Sequence, residues 1–276
     1  MKSNCKVIAI TNQKGGVGKT VTSVCLGACL ANNDCKVLIV DFDAQGNLTK
    51  GLGYRDSKSY KLTLKDALFN EINEVEINKD DYIIHTNEGF DILPSNISLS
   101  GADIQLTNVM SRETVFKRVL DYFKSDYDYI LIDSNPALNL FTINSLTAAD
   151  SVIIPVQAEP FATDGLYDLL KTIASAQKQL NPNLKIDGIL ITMTDSRTNL
   201  SKHIANEVRD KYGMRVRVFE TEIPRGVRMA EASLHGLSPI KYSPSADASI
   251  AYLKIAKEVD KINEKRITKT RNEHLR

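Results

Sequence analysis

The sequence predicts an α/β protein in which a doubly wound, mainly parallel sheet is flanked by helices. Short apolar runs rich in β-branched residues alternate along the chain with longer segments of helical periodicity, and this order is typical of parallel strands joined by crossover helices. Most of the runs are continuously apolar, as in strands covered on both faces. The chain of 276 residues, 42% of them apolar, is large enough to bury a substantial core.

The individual elements follow in chain order from these patterns. The clearest strands are predicted at 6–11, 36–41, 127–133, 151–156 and 186–192, with a sixth at 218–224 and candidate edge strands in YIIHT and FDILPS. Helical periodicity occurs at 18–32, 96–107, 111–125, 138–149, 161–180, 199–212 and 245–263. We interpret the polar segment 51–90 as an excursion from a single domain that spans residues 1–263. Because the remaining basic segment loses apolar periodicity, we expect the tail 264–276 to fray.

A glycine-rich loop lies between the first predicted strand and the first predicted helix. Its sequence NQKGGVGKT nearly fits the phosphate-binding pattern G-x-x-x-x-G-K-[ST], but Gln13 replaces the first glycine and a second lysine, Lys14, follows it. Glycines let backbone N–H groups converge on phosphate oxygens, and the helix N-terminus adds partial positive charge. We predict that Lys19 binds the β- and γ-phosphates of a nucleotide and that the Thr20 hydroxyl ligates Mg²⁺.

Carboxylates follow two of the predicted strands. Asp41 and Asp43 in VDFDAQGN are two residues apart, so in an extended chain both side chains would point the same way and could face one site. Asp133 ends the apolar run YILID, a pattern typical of the carboxylate that holds Mg²⁺ beside a phosphate-binding loop. Ligands of open α/β sheets bind at the carboxyl ends of the strands, where these aspartates are predicted to lie.

KGGVGKT resembles the deviant Walker A motif of the ParA/MinD ATPases, which are P-loop NTPases. More narrowly, ITNQKGGVGKTVTSVCLGACLA, VLIVDFDAQGNLTKGLG, ITMTDSRTNLS and IPRGVRMAEA are similar to segments of Soj-type ParA proteins of chromosome and plasmid partition, over residues 5 to 262. The resemblance implies ATP and Mg²⁺ as cofactors, weak ATP hydrolysis that a partner stimulates, and a homodimer closed around two ATP molecules. It also implies that Lys14 acts across the dimer interface, where a lysine offsets the concentrated charge of the phosphates.

The same resemblance assigns roles to single residues. Asp43 orients the attacking water, and Asp41 lies near the metal. The expected catalytic residues are Lys14, Lys19 and Asp43, and the expected metal ligands are Thr20, Asp41 and Asp133. The expected nucleotide contacts are Lys14, Gly15, Gly16, Val17, Gly18, Lys19, Thr20, Val21, Met193, Pro224, Arg225 and Gly226.

The chain departs from the family pattern in three places. Val21 occupies a position where the family often has a threonine that touches the α-phosphate, and valine cannot make that hydrogen bond. Ser134 and Asn135 replace a cysteine and a proline in the segment expected to move when the γ-phosphate is lost. Gly226 replaces the asparagine of IPRNVR and removes one side-chain contact to the base. We expect these changes to alter turnover or base affinity without removing nucleotide binding.

Any binding to DNA must come from a local basic cluster, because the formal net charge is only +1. The candidate DNA contacts are Arg197, Lys202, Arg225, Arg228, Lys241 and Lys254. The resemblance places sequence-independent contacts to double-stranded DNA at Arg197 and Arg228. Since the first strand begins at about residue 5 and leaves no room for a helix-turn-helix, we expect sequence recognition to belong to a ParB-type centromere-binding partner.

Other functions of the superfamily make different demands on the sequence. A MinD-like ATPase that cycles on a membrane needs a C-terminal amphipathic helix with bulky apolar residues, but the last 15 residues offer only three aliphatic side chains and no aromatic one. An iron–sulfur carrier needs cysteines well after residue 90, and all four cysteines lie in the first 35 residues. A regulatory module without turnover is disfavoured by Asp43 and stays open because of Ser134 and Asn135. With no signal-peptide pattern or apolar span, we expect a cytoplasmic, nucleoid-associated protein that makes no membrane contact.

Overall fold

A single mixed sheet forms the centre of the fold. The computed structural model describes residues 5–160 and 162–274. The strands in these residues are β1 (Lys6–Ile10), β2 (Val37–Phe42), β3 (Ile84–His85), β4 (Asp91–Leu93), β5 (Tyr129–Ser134), β6 (Ser151–Gln157), β7 (Lys185–Thr194) and β8 (Ile223–Pro224). Their order across the sheet is β3-β4-β2-β5-β1-β6-β7-β8, and only β3 and β4 pair antiparallel. The predicted mainly parallel sheet is therefore confirmed.

Helices connect most of the strands and cover the sheet. Within the described residues they are α1 (Lys19–Ala31), α2 (Asn47–Gly51), α3 (Leu64–Ile72), α4 (Ser100–Thr107), α5 (Val115–Asp121), α6 (Leu140–Ala148), α7 (Ala162–Gln179), α8 (Asn199–Tyr212), α9 (Val227–Leu234), α10 (Pro239–Tyr242) and α11 (Asp247–His274). None of the helices described here combines the length and the apolar character that crossing a membrane requires.

The two faces of the sheet carry separate hydrophobic cores. Successive side chains of a strand point to opposite faces, so Val7 and Ala9 of β1 join one core while Ile8 and Ile10 join the other. Side chains from α3 to α8 fill the first core, and side chains from α1, α2, α10 and α11 fill the second. Burial on both faces explains the continuously apolar strand sequences and confirms the doubly wound arrangement.

The polar segment 51–90 contains a helix that the sequence did not predict. α3 begins directly after Thr63, whose backbone N–H and hydroxyl donate to the Asp66 carboxylate at 2.9 and 2.7 Å and so stabilise the first turn. Only Leu64, Ala67 and Leu68 of this helix are buried, so its apolar pattern is too short to stand out from the polar residues around it. The short helices α2, α9 and α10 were not predicted for the same reason.

The structure gives two of the predicted elements, a strand and a helix, different boundaries from those expected from the sequence. The strand predicted at 218–224 is reduced to β8, and Val218 forms only an isolated bridge with Ile189. α11 continues to His274, whereas the sequence analysis ended this helix at 263 and expected the tail to fray. No glycine or proline interrupts residues 264–274, so this polar segment can remain helical without an apolar face. The division into an ATPase domain and a tail stays a prediction, and residues 275 and 276 lie outside the described residues.

Replacing Gly46 should destabilise the protein, because the fold leaves no room for a side chain there. Gly46 has a φ of 60° immediately before α2, and a Cβ atom would lie 2.7 Å from the backbone oxygen of Ser95. We expect Gly46→Ala to lower the free energy of unfolding by about 1–3 kcal/mol in chemical denaturation. Gly101→Ala is the matched control, since its Cβ would meet nothing within 4 Å in α4. It should be neutral or stabilising by up to about 1 kcal/mol, and equal stability of the two variants would contradict the analysis.

Candidate nucleotide-binding site

The glycine-rich loop presents open backbone at the carboxyl end of β1. Gly16 and Gly18 have φ values of 76° and 89°, a left-handed conformation that glycine adopts without steric cost. Cβ atoms built at Gly15 and Gly16 would meet nothing within 4 Å, so this stretch of backbone faces free space. α1 begins at Lys19 immediately after the loop. The loop therefore has the shape and the dipole of a phosphate-binding site.

Lys19 is directed into the protein. Its side chain is buried, and Nζ donates to the backbone oxygen of Lys14 at 2.8 Å, which closes the loop on itself. Burial lowers the pKa of Lys19, and the nearby carboxylates of Asp133 and Asp43 oppose that shift. A buried ammonium group beside two carboxylates lies where the phosphates and the metal of a bound nucleotide would meet.

Asp133 and Asp41 form the buried acidic floor of the site. The two residues are partners in the register of β5 and β2, and both are fully buried. Asp133 accepts a hydrogen bond from the Ser23 hydroxyl at 3.2 Å and another from Thr20. Burial, followed by the charge of Asp41, raises the pKa of Asp133 above its usual range. The two carboxylates thus repel each other in a place where only a cation or a proton can relieve the repulsion.

Asp41 and Asp43 differ in burial and in their hydrogen-bond partners. Oδ2 of Asp41 accepts from the backbone N–H and the hydroxyl of Thr49 at 3.0 and 2.7 Å, and its Oδ1 accepts from the backbone N–H of Asp43 at 3.3 Å. Asp43 lies beyond the end of β2, is only half-buried, and its Oδ1 accepts from the backbone of Gln45 at 2.9 Å. The charge of Asp43 nevertheless acts on both Asp41 and Lys19, so the expectation that both carboxylates face one site stays a prediction. Asp41 contributes charge from beneath, and Asp43 is the accessible carboxylate.

The residues present fit a magnesium nucleotide. No group of three or more His, Cys, Asp or Glu side chains in the described part of the chain could hold a metal ion by itself. Magnesium in nucleotide sites takes one or two protein ligands and completes its shell with phosphate oxygens and water. Thr20 at the start of α1 and Asp133 near the end of β5 are joined by a hydrogen bond between their side chains. These two residues are the ones placed to hold Mg²⁺, and the metal assignment of all three predicted ligands stays a prediction.

The ends of β7 and β8 form the side of the site where the base of the nucleotide is predicted to bind. The Thr192 hydroxyl donates to the backbone oxygen of Val17 at 2.8 Å, and Met193 next to it adopts a φ of 54°, which is strained for a residue with a side chain. A Cβ atom at Gly18 would lie 3.7 Å from the Met193 methyl group. The backbone N–H of Arg225 donates to the Thr194 oxygen at 2.9 Å. Met193 therefore lies beside Gly18 of the phosphate loop, and the segment Pro224 to Gly226 is bonded to the end of β7; their contacts with nucleotide stay predictions.

Val21 faces an apolar cavity. It lines a space of about 60 Å³ beneath the first turn of α1. The other lining residues include Leu48 of α2, Met229 of α9 and Leu237, which follows α9. An apolar lining here agrees with the loss of the threonine hydroxyl at this position. No observation assigns Val21 a contact with nucleotide, so that contact stays a prediction.

Lys14 makes an ion pair that the sequence analysis did not predict. Its Nζ contacts Oε1 of Glu159, which follows the carboxyl end of β6, and both side chains are partly exposed, at 42% and 36%. The loop is also tied to this region by Gln13, whose Nε2 donates to the Gly165 oxygen at 2.9 Å. A signal for Glu159 was present, since acidic residues directly after a buried strand of a parallel sheet lie at the ligand-binding edge. The two loop lysines thus point to different places.

Ser134 and Asn135, which follow Asp133, differ in the hydrogen bonds of their side chains. The Asn135 side chain hydrogen-bonds the side chains of Asn139 and Thr142 at 3.4 and 3.3 Å, which links the segment after β5 to the start of α6. A proline, which the family has here, could not form these bonds. The Ser134 hydroxyl is buried without a hydrogen-bond partner among the described residues. This segment therefore gains a polar link that the family pattern lacks.

The predicted DNA contacts do not form one surface. Arg197 and Arg225 lie close to the same carboxylate, Asp195, and Arg197 forms a bidentate pair with it at 2.9 and 2.8 Å. The pair holds the pKa of Asp195 down to about 2. Arg228 contacts Glu231 at 3.0 Å in the first turn of α9. The β7–α8 connection and the start of α8 carry Arg197 and Lys202, and the β8–α9 connection and the start of α9 carry Arg225 and Arg228.

The other two candidates lie elsewhere. Lys241 Nζ donates to the Asn87 oxygen at 2.7 Å, in the turn between β3 and β4 at the opposite edge of the sheet. Lys254 is exposed, but it lines a groove of about 470 Å³ together with three carboxylates, those of Glu220, Glu222 and Asp247. Pro224 at the end of β8 lines the same groove, so Lys254 lies near the cluster at the carboxyl ends of β7 and β8, whereas Lys241 lies at the opposite edge; both DNA contacts stay predictions.

Removing the charge of Asp133 should change how stability depends on pH. Because the pKa of Asp133 is raised in the folded, nucleotide-free protein, its contribution to stability is complete below about pH 4 and is lost as pH rises through the raised pKa. In chemical denaturation, Asp133→Asn should therefore gain stability relative to the original protein by up to about 1 kcal/mol per pH unit between about pH 4 and the raised pKa, and the gain should level off above that pKa. Asp210→Asn, at an exposed position of α8, should show no such gain. A constant difference between Asp133→Asn and the original protein at all pH values would refute this account.

Comparison with known proteins agrees with the geometry. A family model described as an AAA domain matches residues 5–186. The chain is 49% identical over 254 residues to the sporulation initiation inhibitor protein Soj of Bacillus subtilis, which covers 92% of this chain and 98% of Soj. It is 40% identical over 257 residues to the chromosome partitioning protein ParA of Caulobacter vibrioides, which covers 92% and 93% of the two chains. The solved structure of cobyrinic acid a,c-diamide synthase from Mycobacterium smegmatis with bound ADP and magnesium superposes with a TM-score of 0.79 at 35% identity and covers 92% and 93% of the chains. With the motif order, the fold and the site in agreement, the chain belongs to the ParA/MinD family of ATPases, in its Soj-type branch.

Proposed function

We propose that this chain is a DNA-partition ATPase whose ATP-bound homodimer binds double-stranded DNA without sequence preference and leaves it after hydrolysis. The observation that carries the proposal is the difference in burial and in contacts between the two loop lysines. Lys19 is buried and directed at the carboxylates of its own site, whereas Lys14 is partly exposed at the rim. One protomer needs only Lys19 to bind the phosphates of its own nucleotide, so Lys14 is available to a nucleotide in another protomer.

The residues of the site divide the chemistry among them. Bound Mg²⁺ and ATP supply the phosphoryl group that is transferred to water and the charge that joins two protomers. Lys19 and the open glycine backbone bind the phosphates, and Thr20 and Asp133 hold the metal. Asp43, the accessible carboxylate, orients the attacking water, which is a matter of geometry and electrostatics in phosphoryl transfer. Loss of the γ-phosphate then removes the charge that Lys14 of the partner protomer binds, and the dimer opens.

The cluster at the carboxyl ends of β7 and β8 is the proposed DNA contact. Arg197 and Arg228 are highly exposed, at 87% and 60%, and each is held in place by a neighbouring carboxylate. Contacts of exposed arginines to DNA phosphates carry no sequence information. Sequence recognition is left to a ParB-type centromere-binding partner that also stimulates hydrolysis. The protein would act in the cytoplasm on the nucleoid, as one ATPase domain over residues 1–263 with a basic tail.

DNA binding with ATP, with ADP and without nucleotide across a salt series tests the proposal. We expect binding to several unrelated duplexes only with ATP, and a steep loss of affinity as salt rises. Arg197→Ala should weaken binding equally on all sequences and reduce the salt slope by about 1. Lys117→Ala, an exposed lysine on α5, should leave the slope unchanged. Binding to anionic liposomes but not to DNA would overturn the proposal in favour of a membrane-cycling ATPase.

Lys14→Ala should separate nucleotide binding from dimer formation. Because Lys19 and the glycine backbone remain, the affinity for ATP should stay within about threefold of the original. Light scattering with Mg²⁺ and ATP should then show only monomers, since each γ-phosphate loses its contact from the other protomer. Lys61→Ala, which breaks the surface pair with Asp81, is the control and should still dimerise. A full dimer of Lys14→Ala would remove the basis of the proposed cycle.

A further inference from the structure

We propose that Thr49 is a positioning residue for ATP hydrolysis, which holds the turn that carries Asp43 in place through the carboxylate of Asp41. Neither the glycine-rich loop motif nor the family resemblance assigned a role to Thr49. The inference rests on the proposed function, because it concerns the carboxylate that orients the attacking water. The starting observation is a buried hydroxyl group, that of Thr49, bonded to the fully buried carboxylate of Asp41.

The surroundings of the Thr49 hydroxyl fix its direction. Its Oγ1 accepts a hydrogen bond from the backbone N–H of Ser95 at 3.1 Å and donates to Oδ2 of Asp41 at 2.7 Å. A threonine hydroxyl has a single hydrogen, and here Asp41 receives it. The backbone N–H of Thr49 donates to the same Oδ2 at 3.0 Å. Thr49 therefore binds one oxygen of Asp41 twice, and these two bonds fix the rotation of the carboxylate.

The fixed carboxylate presents its other oxygen to Asp43. Oδ1 of Asp41 accepts from the backbone N–H of Asp43 at 3.3 Å. This distance is slightly beyond the usual range for an N–H donor, so even a small rotation of the carboxylate would break the bond. The backbone of Asp43 therefore keeps this contact only while Thr49 holds Asp41 in its present orientation.

The turn that carries Asp43 lies inside a closed loop. The backbone N–H of Gly46 donates to the Asp43 oxygen at 2.9 Å, and α2, which contains Thr49, begins directly after Gly46. Residues 41–49 thus form a loop whose two ends are joined by the bonds from Thr49 to Asp41. The position of the accessible carboxylate depends on the bonds that close this loop.

Loss of the Thr49 hydroxyl should slow hydrolysis and leave nucleotide binding intact. Thr49→Val keeps the shape of the side chain, but it leaves Ser95 without an acceptor and Asp41 with one bond fewer. The attacking water must be placed accurately, and a displacement of about 1 Å can reduce a rate by about 100-fold. We therefore expect kcat to fall by about 10- to 100-fold. Because Lys19 and the glycine backbone still bind the phosphates, KM should stay within about threefold of the original.

Single-turnover hydrolysis of radiolabelled ATP by the full-length protein tests the inference. Rates are divided by the concentration of nucleotide-binding sites, so that unfolded protein does not count. Thr49→Ser keeps the hydroxyl and should keep the rate within about threefold of the original. Thr147→Val is the matched control, since Thr147 is also buried and its hydroxyl donates to the Ile143 oxygen at 2.8 Å within α6. It loses a comparable hydrogen bond and should hydrolyse ATP at the original rate.

A second measurement examines the nucleotide-free protein. Hydrogen exchange followed by mass spectrometry reports the backbone amides of residues 41–46. These amides should exchange faster in Thr49→Val than in the original protein, because the turn loses the contact that holds it. Thr147→Val should leave their exchange unchanged. Equal exchange in Thr49→Val and the original protein would overturn the inference whatever the hydrolysis rates are.

The variant Asp43→Asn separates this inference from the proposed function. If Asp43→Asn hydrolyses ATP as fast as the original protein, the water-orienting role of Asp43 fails and the role of Thr49 fails with it. If Asp43→Asn is slow and Thr49→Val keeps the original rate, only the inference is overturned. Adding Thr49→Val to Asp43→Asn should slow hydrolysis by no more than about twofold, because the carboxylate to be positioned is already absent. A full additional loss, or a higher Mg²⁺ requirement of Thr49→Val, would mean that Thr49 acts elsewhere in the site.

Discussion

The site depends on the burial of two carboxylates that face each other at the ends of adjacent strands. The register of β2 and β5 places Asp41 opposite Asp133, and both are cut off from water. Buried like charges are costly unless cations or hydrogen bonds offset them. Thr49 and Ser23 supply hydrogen bonds and Lys19 supplies a nearby charge. One ammonium group against two carboxylates leaves a deficit of positive charge, and a magnesium nucleotide site uses that deficit to attract its metal.

The same carboxylates connect the site to the segments around it. The backbone N–H of Ser95, beyond the end of β4, donates to the Thr49 hydroxyl at 3.1 Å, and that hydroxyl donates to Asp41. The Asp41 carboxylate in turn accepts from the backbone of Asp43. Three hydrogen bonds therefore join Ser95, Thr49, Asp41 and Asp43 in one chain, in which Asp41 and Asp43 are directly bonded. On the other side, Asn12 and Thr192 fix the loop to β6 and β7, so the phosphate end is rigid and the Asp43 end is the part able to respond.

The sequence predicted those features that are local. Strands buried on both faces, the strand–loop–helix order of the phosphate site and the aspartates at strand ends all leave patterns within a few residues, and the structure contains each of them. Features that depend on contacts between distant segments were missed. Glu159 is 145 residues from Lys14, and nothing near either residue indicates that they pair. The hydrogen bonds of Thr49 to the Asp41 carboxylate were also not predicted, because only the fold brings Thr49 there. The helix α3 was missed because its stability comes from packing and a capping aspartate, not from a long apolar pattern.

Counting basic residues overstates the positive charge that is free to meet DNA. Asp195 binds Arg197, Glu231 binds Arg228, and three carboxylates share a groove with Lys254. Exposed pairs of this kind are weak, so a DNA phosphate can replace the carboxylate as the partner of the arginine. Each replacement breaks an ion pair within the protomer, and this cost offsets part of the free energy of DNA binding. Under the proposed function, a single protomer with a net charge near zero would bind DNA weakly, and two protomers that align their clusters would bind much more strongly because the second contact is intramolecular. Charge partners within the protomer would thus reinforce the dependence of DNA binding on the dimer.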